Sequence, residues 1–82
     1  MSYIGKSLVE VAKETDVNFR GGYSVYVLQN ENDETGRHID TSWSVAGILR
    51  EHPEILDYKV KFENDFFGTT VLRVEKGGVF DA

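Results

Sequence analysis

The sequence predicts an α+β domain of two tandem αββ units, in which an antiparallel, roughly four-stranded sheet carries two helices on one face. Two segments have the apolar spacing of short amphipathic helices, and other segments alternate apolar with polar residues as strands do. These signals recur at a constant separation of 35 positions, from Ser7 to Ser42 and from Tyr23 to Tyr58. Two similar units that pair their hairpins would form one sheet covered by both helices.

Length and composition indicate one small domain, predicted over 1–76, followed by a tail at 77–82. The chain has 82 residues, of which 40% are hydrophobic and 28% are charged. A net charge of −5 argues against a protein that coats nucleic acid through bulk charge, and the lack of cysteine excludes disulfides and thiolate metal sites. No apolar run approaches the ~20 residues of a membrane span, and no signal-peptide core is present, so a cytoplasmic location is expected.

The first unit opens with a helix predicted over about 7–15. Ser7 and Glu10 have the spacing of a capping box, in which the serine hydroxyl accepts from the backbone N–H of Glu10 and the glutamate reaches back. A strand is the alternative, because Val9 and Val11 alternate with Glu10 and are β-branched. The helix is favoured because the apolar residues of this segment fall on one side of a helix.

Two strands complete the first unit. After a break at Gly21-Gly22, the run Tyr23–Asn30 alternates as a strand does. A polar turn follows, and Arg37–Asp40 is predicted to return as a short strand with Ile39 buried.

The second unit begins with a helix predicted over about 42–52. Candidate N-cap residues lie at 40–42, and Pro53 marks the end of the helix because proline disfavours helical geometry at the preceding residue. Its predicted apolar face comprises Trp43, Ala46, Gly47, Ile48 and Leu49.

The hairpin Tyr58–Glu75 is the clearest element of the sequence, with two alternating runs joined by a turn that ends at Gly68. Alternate residues of its strands are predicted to point toward the helices and away from them. The predicted core of the domain comprises Leu8, Val11, Ala12, Tyr23, Val25, Val27, Trp43, Ala46, Leu49, Tyr58, Val60, Phe62, Leu72 and Val74.

No group of residues predicts an enzyme. His38 lies near Asp40, which could orient it, and near two serines that could act as nucleophiles. The simpler interpretation is that His38 is an exposed strand residue and that His52 is a cation at the end of a helix. Gly21-Gly22 precedes a strand rather than a helix, so no phosphate-binding loop is predicted. The carboxylates of the loop 31–34 lack EF-hand spacing and are typical of a solvated turn. A non-enzymatic protein without cofactor or metal is therefore predicted.

The hairpin turn carries the candidate contact residues. Two adjacent phenylalanines are costly to leave in water, so either one ring folds over the edge of the core or the pair forms a contact site for a protein. Tail residues Val79 and Phe80 would extend such a site, and an acidic loop is proposed as its second part. The predicted partner-binding residues are Phe66, Phe67, Asp65, Glu31, Asp33 and Glu34.

The outward face of the sheet provides an alternative function. Single-stranded nucleic acid binds such faces by stacking bases on aromatic rings and pairing phosphates with Lys or Arg. One stacking candidate is present, and the sequence signature of an RNA-recognition sheet is absent. The candidate residues for this alternative are Tyr26, Lys59, Lys61 and Arg73.

The sequence thus favours a small interaction module that binds a protein partner, or itself as a homodimer, through the aromatic turn and the acidic loop. Neither a membrane nor a small-molecule substrate is predicted as a partner. In length and acidity the chain resembles the short acidic proteins that phages and mobile elements encode. That resemblance implies an accessory or inhibitory role, such as occupying the basic groove of a nucleic-acid-binding protein.

Overall fold

The computed structural model describes residues 2–76, so Val79 and Phe80 of the tail lie outside the described residues. Within this range the elements are α1 (Leu8–Glu14), β1 (Tyr23–Val27), β2 (Arg37–Ser42), α2 (Val45–Glu51), a 3₁₀ turn (Pro53–Ile55), β3 (Lys59–Phe66) and β4 (Thr69–Glu75). The predicted α+β class, with two helices and a four-stranded sheet, is confirmed for these residues.

The sheet is mixed, with strand order β2-β1-β4-β3. Both hairpins are antiparallel, but the central strands β1 and β4 run parallel, so the prediction of an antiparallel sheet is wrong for that pair. The reason is the path of α2, which carries the chain from the end of β2 back to the opposite end of the sheet. As a result β3 runs in the direction of β2, and β4 runs in the direction of β1.

The two predicted units do not occupy equivalent places in this sheet. The first strand of the first unit, β1, is central, whereas the first strand of the second unit, β3, is at an edge. The separation of 35 positions in sequence therefore does not correspond to equivalent positions in the sheet.

Helix α1 begins with the capping box that the sequence predicts. Ser7 Oγ accepts from the backbone N–H of Glu10 at 3.3 Å, and the Ser7 N–H donates to Glu10 Oε1 at 3.3 Å. The Ser7 backbone N–H and the Ser7 hydroxyl, which also donates to Glu10 Oε1 at 3.0 Å, lower the pKa of the Glu10 carboxyl below its ordinary value. Leu8 and Val11 of this helix are fully buried.

Helix α2 begins later than predicted, because β2 continues to Ser42 and Ser44 is the N-cap. The Ser44 hydroxyl accepts from the backbone N–H of Gly47 at 3.0 Å. The buried residues of α2 are Val45 and Ile48, which lie three positions apart on one side of the helix. Two predicted core residues are therefore wrong: Ala46 is exposed, and Trp43 lies before the helix with 56% of its surface exposed.

A bulge in β3 changes which residues of that strand face the core. Val60 pairs with Val74, but Phe62 pairs with Arg73, so Lys61 is an additional residue between them. The extra residue turns Phe62 to the outward face, where it is 37% exposed, and the prediction that it is buried is wrong. The predicted alternation of inward and outward side chains in β3 holds only up to Val60. Beyond it the register of β3 against β4 shifts by one residue, and each following side chain changes face.

The hydrophobic core lies between the helices and one face of the sheet. Ala12, Val27, Leu49 and Tyr58, which the sequence also places in the core, pack against it partly buried. None of the described helices is long and apolar enough to cross a membrane. The buried residues of the core are Leu8, Val11, Tyr23, Val25, Val45, Ile48, Ile55, Val60, Leu72 and Val74.

Candidate protein-contact site at the aromatic end

Four exposed aromatic side chains lie at one end of the sheet. β1 and β4 begin at this end, and β2 and β3 finish there, so the segments beside them meet. Phe19 is 80% exposed, Trp43 56%, Phe66 63% and Phe67 92%. We call these four residues the aromatic end. Exposed groups of large apolar side chains occur where proteins bind other proteins, so the aromatic end is the candidate site.

The four rings form two contacting pairs. The ring centroids of Phe19 and Trp43 are 6.3 Å apart, and those of Phe66 and Phe67 are 4.7 Å apart in an edge-to-face arrangement. A groove of about 230 Å³ runs beside Trp43 and is lined by Gly21, Gly22, Thr41, Ser42 and Trp43. It is large enough for one apolar side chain of a partner.

Hydrogen bonds tie the loop that carries Phe19 to the neighbouring segments. Asn18 Nδ2 donates to the carbonyl oxygens of Gly22 and Gly68, both at 3.1 Å, and the Asn18 N–H donates to the Trp43 carbonyl oxygen at 2.8 Å. Thr69 Oγ1 donates to the Gly21 carbonyl oxygen at 2.9 Å. The backbone that carries the rings is therefore fixed before any partner arrives.

The double glycine makes this arrangement possible. A Cβ at Gly21 would lie 2.6 Å from the Gly68 carbonyl carbon and 2.6 Å from the Thr69 nitrogen. Gly22 has a φ of 73°, and its Cβ would lie 2.5 Å from the Ser42 carbonyl oxygen. Gly21-Gly22, which the sequence indicates only as a break, is therefore a point where the backbone approaches neighbouring segments closely.

The hairpin turn places an aromatic residue where the backbone is strained. Phe66 pairs with Thr69, so Phe67 and Gly68 form a two-residue turn, with φ values of 50° and 88°. Positive φ at both central positions is typical of a type I′ turn, which favours Asn, Asp or Gly at its first position. A bulky side chain in this conformation costs about 1–2 kcal/mol. Both phenylalanine rings are exposed, so neither folds over the edge of the core.

The acidic loop lies at the opposite end of the sheet, between β1 and β2. The structure therefore does not bring Glu31, Asp33 and Glu34 together with Phe66 and Phe67. Glu31 and Glu34 are exposed on the loop surface.

The Asp33 carboxylate forms hydrogen bonds within that loop, which explain an acidic residue at this position. Its Oδ1 accepts from the backbone N–H groups of Thr35 at 3.0 Å and Gly36 at 2.9 Å, and its Oδ2 accepts from that of Gln29 at 2.9 Å. These three backbone donors lower the pKa of the Asp33 carboxyl. Asp65, by contrast, lies beside Phe66, and its Oδ1 accepts from Thr70 Oγ1 at 3.3 Å.

The outward sheet face carries a row of side chains centred on Arg73. The guanidinium carbon lies 5.1 Å from the Tyr26 ring centroid, Nε donates to the Thr35 carbonyl oxygen at 2.9 Å, and Nη1 donates to Asn64 Oδ1 at 2.9 Å. The His38 ring lies 5.1 Å from that of Tyr26, on the side away from Arg73's strand. This face is more aromatic than the sequence predicts, because Phe62 also belongs to it.

The two lysines predicted for this face lie near an acidic neighbour. Lys59 pairs with Glu75 across the β3–β4 ladder, and Lys61 Nζ is 3.9 Å from a Glu75 carboxylate oxygen. Lys61 Nζ also lies 5.7 Å from the Phe62 ring centroid. The positive charge at this end of the face is therefore partly offset.

The histidines lie in different surroundings. His52 Nε2 is 3.4 Å from Asp40 Oδ2, so Asp40 faces the end of α2 rather than His38. His38 Nε2 shares a hydrogen bond with Thr41 Oγ1 at 2.8 Å, and Thr41 Oγ1 shares another with Ser24 Oγ at 2.8 Å. Across residues 2–76 no three His, Asp or Glu side chains are grouped as metal ligands would be.

Sequence reasoning missed Phe19 and misplaced Trp43. A large aromatic residue inside the polar connection before Gly21-Gly22 was the available signal for Phe19. Trp43 follows directly from the predicted N-cap residues, so an error of three positions in the helix start was enough to bury it. Comparison of the chain with models of protein families, with curated proteins and with solved structures found no match.

Proposed function

We propose that this chain is a non-enzymatic interaction module that binds a protein partner through the aromatic end. The observation that carries this proposal is Phe67, which is both strained and 92% exposed. Asparagine at this position would relieve the strain and remove an apolar ring from water. A residue that is unfavourable for the fold in both respects is expected where a contact requires it.

The surroundings of Phe67 suit a contact surface. Aromatic side chains dominate the energetics of protein interfaces, and rings held on a fixed backbone lose little conformational freedom on binding. Arg20 lies beside Gly68, in the same hydrogen-bonded loop as Phe19. Arginine is also enriched in interface hot spots. We therefore expect a partner with an apolar patch, one side chain of which enters the groove beside Trp43.

A binding measurement with a matched control tests this proposal. The immobilised chain is exposed to lysate of its native cell, and each retained protein is purified and titrated against three forms: wild type, Phe67→Asn and Leu56→Gln. Leu56 is 43% exposed and lies after the 3₁₀ turn, before the start of β3, so its substitution controls for the loss of an exposed apolar side chain elsewhere.

We expect Phe67→Asn to weaken binding by about tenfold or more, as the loss of a hot-spot ring does, and Leu56→Gln to leave it unchanged. A partner that binds wild type and Phe67→Asn equally would overturn the proposal. Light scattering of the purified chain tests whether a second copy is the partner. In that case the wild type is a dimer and Phe67→Asn is a monomer.

A second candidate function is the binding of single-stranded nucleic acid on the outward sheet face. The bulge at Lys61 favours it, because the bulge adds Phe62 to a face that already carries Tyr26 and Arg73. Against it, Arg73 is occupied by two hydrogen bonds and Lys61 lies near Glu75. Anisotropy of a labelled oligonucleotide at low salt, with Phe62→Thr as the variant, is the test. Absence of binding at low salt would reject this function, because phosphate contacts are strongest there.

A further inference from the structure

The outer edge of β3 is covered for only part of its length. Near its start, the Gly5 N–H donates to the Val60 carbonyl oxygen at 2.8 Å and the Val60 N–H donates to the Lys6 carbonyl oxygen at 2.9 Å. Ser7 forms an isolated antiparallel bridge with Lys59. The N-terminal segment thus contacts the start of β3 through an isolated bridge, which shows that this edge accepts backbone hydrogen bonds from another segment.

Beyond the bulge the edge is open. Among residues 2–76 no strand pairs with the outer side of β3 from Phe62 to Phe66. The Tyr3 N–H donates to Glu63 Oε1 at 2.7 Å, which is a side-chain contact and not a ladder bond. A groove of about 300 Å³ follows this open edge and is lined by Ser2, Ile4, Glu63, Asn64 and Asp65.

The side chains along the open edge alternate in character. Phe62 and Phe66 are exposed on the outward face, whereas Glu63 and Asp65 pair with Leu72 and Thr70 on the other face. An added strand would therefore meet aromatic rings on one side and carboxylates on the other.

The opposite edge of the sheet is less suited to strand addition. In β2 the Thr41 N–H donates to the Asp40 carboxylate at 2.8 Å, so that amide has a partner within its own strand. The β1–β2 register also shifts between Val25 and Tyr26, which places a bulge in the edge strand. Such features protect an edge from pairing. The bulge of β3 lies before Phe62, so the β3–β4 ladder is regular from Phe62 to Phe66.

We propose that the open edge of β3 binds an extended basic peptide segment by strand addition. The backbone of the segment pairs with Phe62–Phe66, alternate Lys or Arg side chains meet Glu63 and Asp65, and the side chains between them cover the two rings. A second copy of the chain does not fit, because antiparallel self-pairing around Asn64 would bring the carboxylates of both copies together. The open edge of β3 and the aromatic end are different binding surfaces for different partners, although Phe66 belongs to both surfaces.

The probe is a blocked hexapeptide that alternates lysine with valine, titrated by calorimetry and by amide chemical shifts. Two control peptides separate backbone pairing from charge: the same peptide methylated on alternate backbone nitrogens, and one that alternates glutamate with valine. The test variant is Glu63→Gln with Asp65→Asn. Its matched control is Glu31→Gln with Glu34→Gln, which makes the same change of net charge in the distant loop.

We expect shifts confined to the edge of β3, about a tenfold loss of affinity on methylation, and a similar loss in Glu63→Gln with Asp65→Asn. The loop variant should bind as wild type does. Equal binding of the methylated peptide, equal losses in the two double variants, or shifts along β2 would each overturn the proposal. Phe67→Asn, which tests the aromatic end, should leave peptide affinity within about twofold, so the two proposals fail separately.

Discussion

Phe66 and Thr69 face each other as the last pair of the β3–β4 ladder, which leaves only Phe67 and Gly68 to make the turn. This relationship decides the character of the aromatic end. In a longer turn both phenylalanine rings would have a choice of directions. In a two-residue turn with positive φ at both positions, the Phe67 side chain is held out into solvent, and the Phe66 side chain follows the outward face of β3.

The single tryptophan reports on the aromatic end before any partner is known. Trp43 is the only tryptophan of the chain and is 56% exposed. We expect its fluorescence in the folded protein to be quenched by acrylamide nearly as strongly as in urea. Strong shielding of Trp43 in the folded state would show that the aromatic end is covered, and would contradict its exposure to solvent.

The close backbone approach at Gly21 predicts a sensitive position. Gly21→Ala would force its Cβ against the backbone of Gly68 and Thr69, neither of which is the flexible end of a side chain. We expect a loss of about 2–4 kcal/mol in the free energy of unfolding, measured by urea denaturation. A midpoint equal to that of wild type would mean that the loop and the hairpin turn are not packed together.

The bulge at Lys61 predicts that two neighbouring apolar residues of β3 differ in importance. Val60 is 2% exposed, and we expect Val60→Ala to cost about 2 kcal/mol of stability because it leaves a cavity in the core. Phe62 is on the outward face, so Phe62→Thr should cost less than about 1 kcal/mol. Chemical denaturation of both variants measures the difference, and the reverse order would place Phe62 in the core.

The hydrogen bonds of Asp33 predict a pH-dependent contribution of the acidic loop to stability. Three backbone donors lower the folded-state pKa of this carboxyl from its ordinary value of 3.8. A lowered folded-state pKa stabilises the fold above the ordinary value, and this contribution is lost as pH falls through the folded-state value.

Asp33→Asn should therefore melt below wild type at neutral pH, and the gap should narrow at pH values below 3.8. Thermal unfolding at a series of pH values checks this, with Glu34→Gln as the exposed control from the same loop. A gap that stays constant down to strongly acidic pH would assign the effect to something other than the charge of Asp33.

The sequence predicts those parts of the fold that depend on local signals. Ser7 and Glu10 identify the start of α1 because a capping box is formed by residues close in the chain. The strand at Tyr23 and the hairpin before Glu75 follow from alternation. Their arrangement does not, because the parallel pairing of β1 with β4 depends on where α2 crosses the sheet, and no local pattern encodes that path.

The candidate site shows the same division. Phe66 and Phe67 are recognisable from sequence because two adjacent aromatic residues in a turn conflict with its usual composition. Their association with Phe19 and Trp43 is a tertiary property of the end of the sheet. The role of Phe62 could not be foreseen, because one inserted residue at Lys61 reverses the face to which it belongs.

We propose that Phe67 serves contact with a partner at the expense of the stability of the fold. The most direct test is the free energy of unfolding of Phe67→Asn, measured by urea denaturation of the purified chain. Asparagine suits the first position of a type I′ turn, so we expect this variant to be more stable than wild type by about 1 kcal/mol. A variant less stable than wild type would show that the Phe67 ring supports the fold and would contradict the claim.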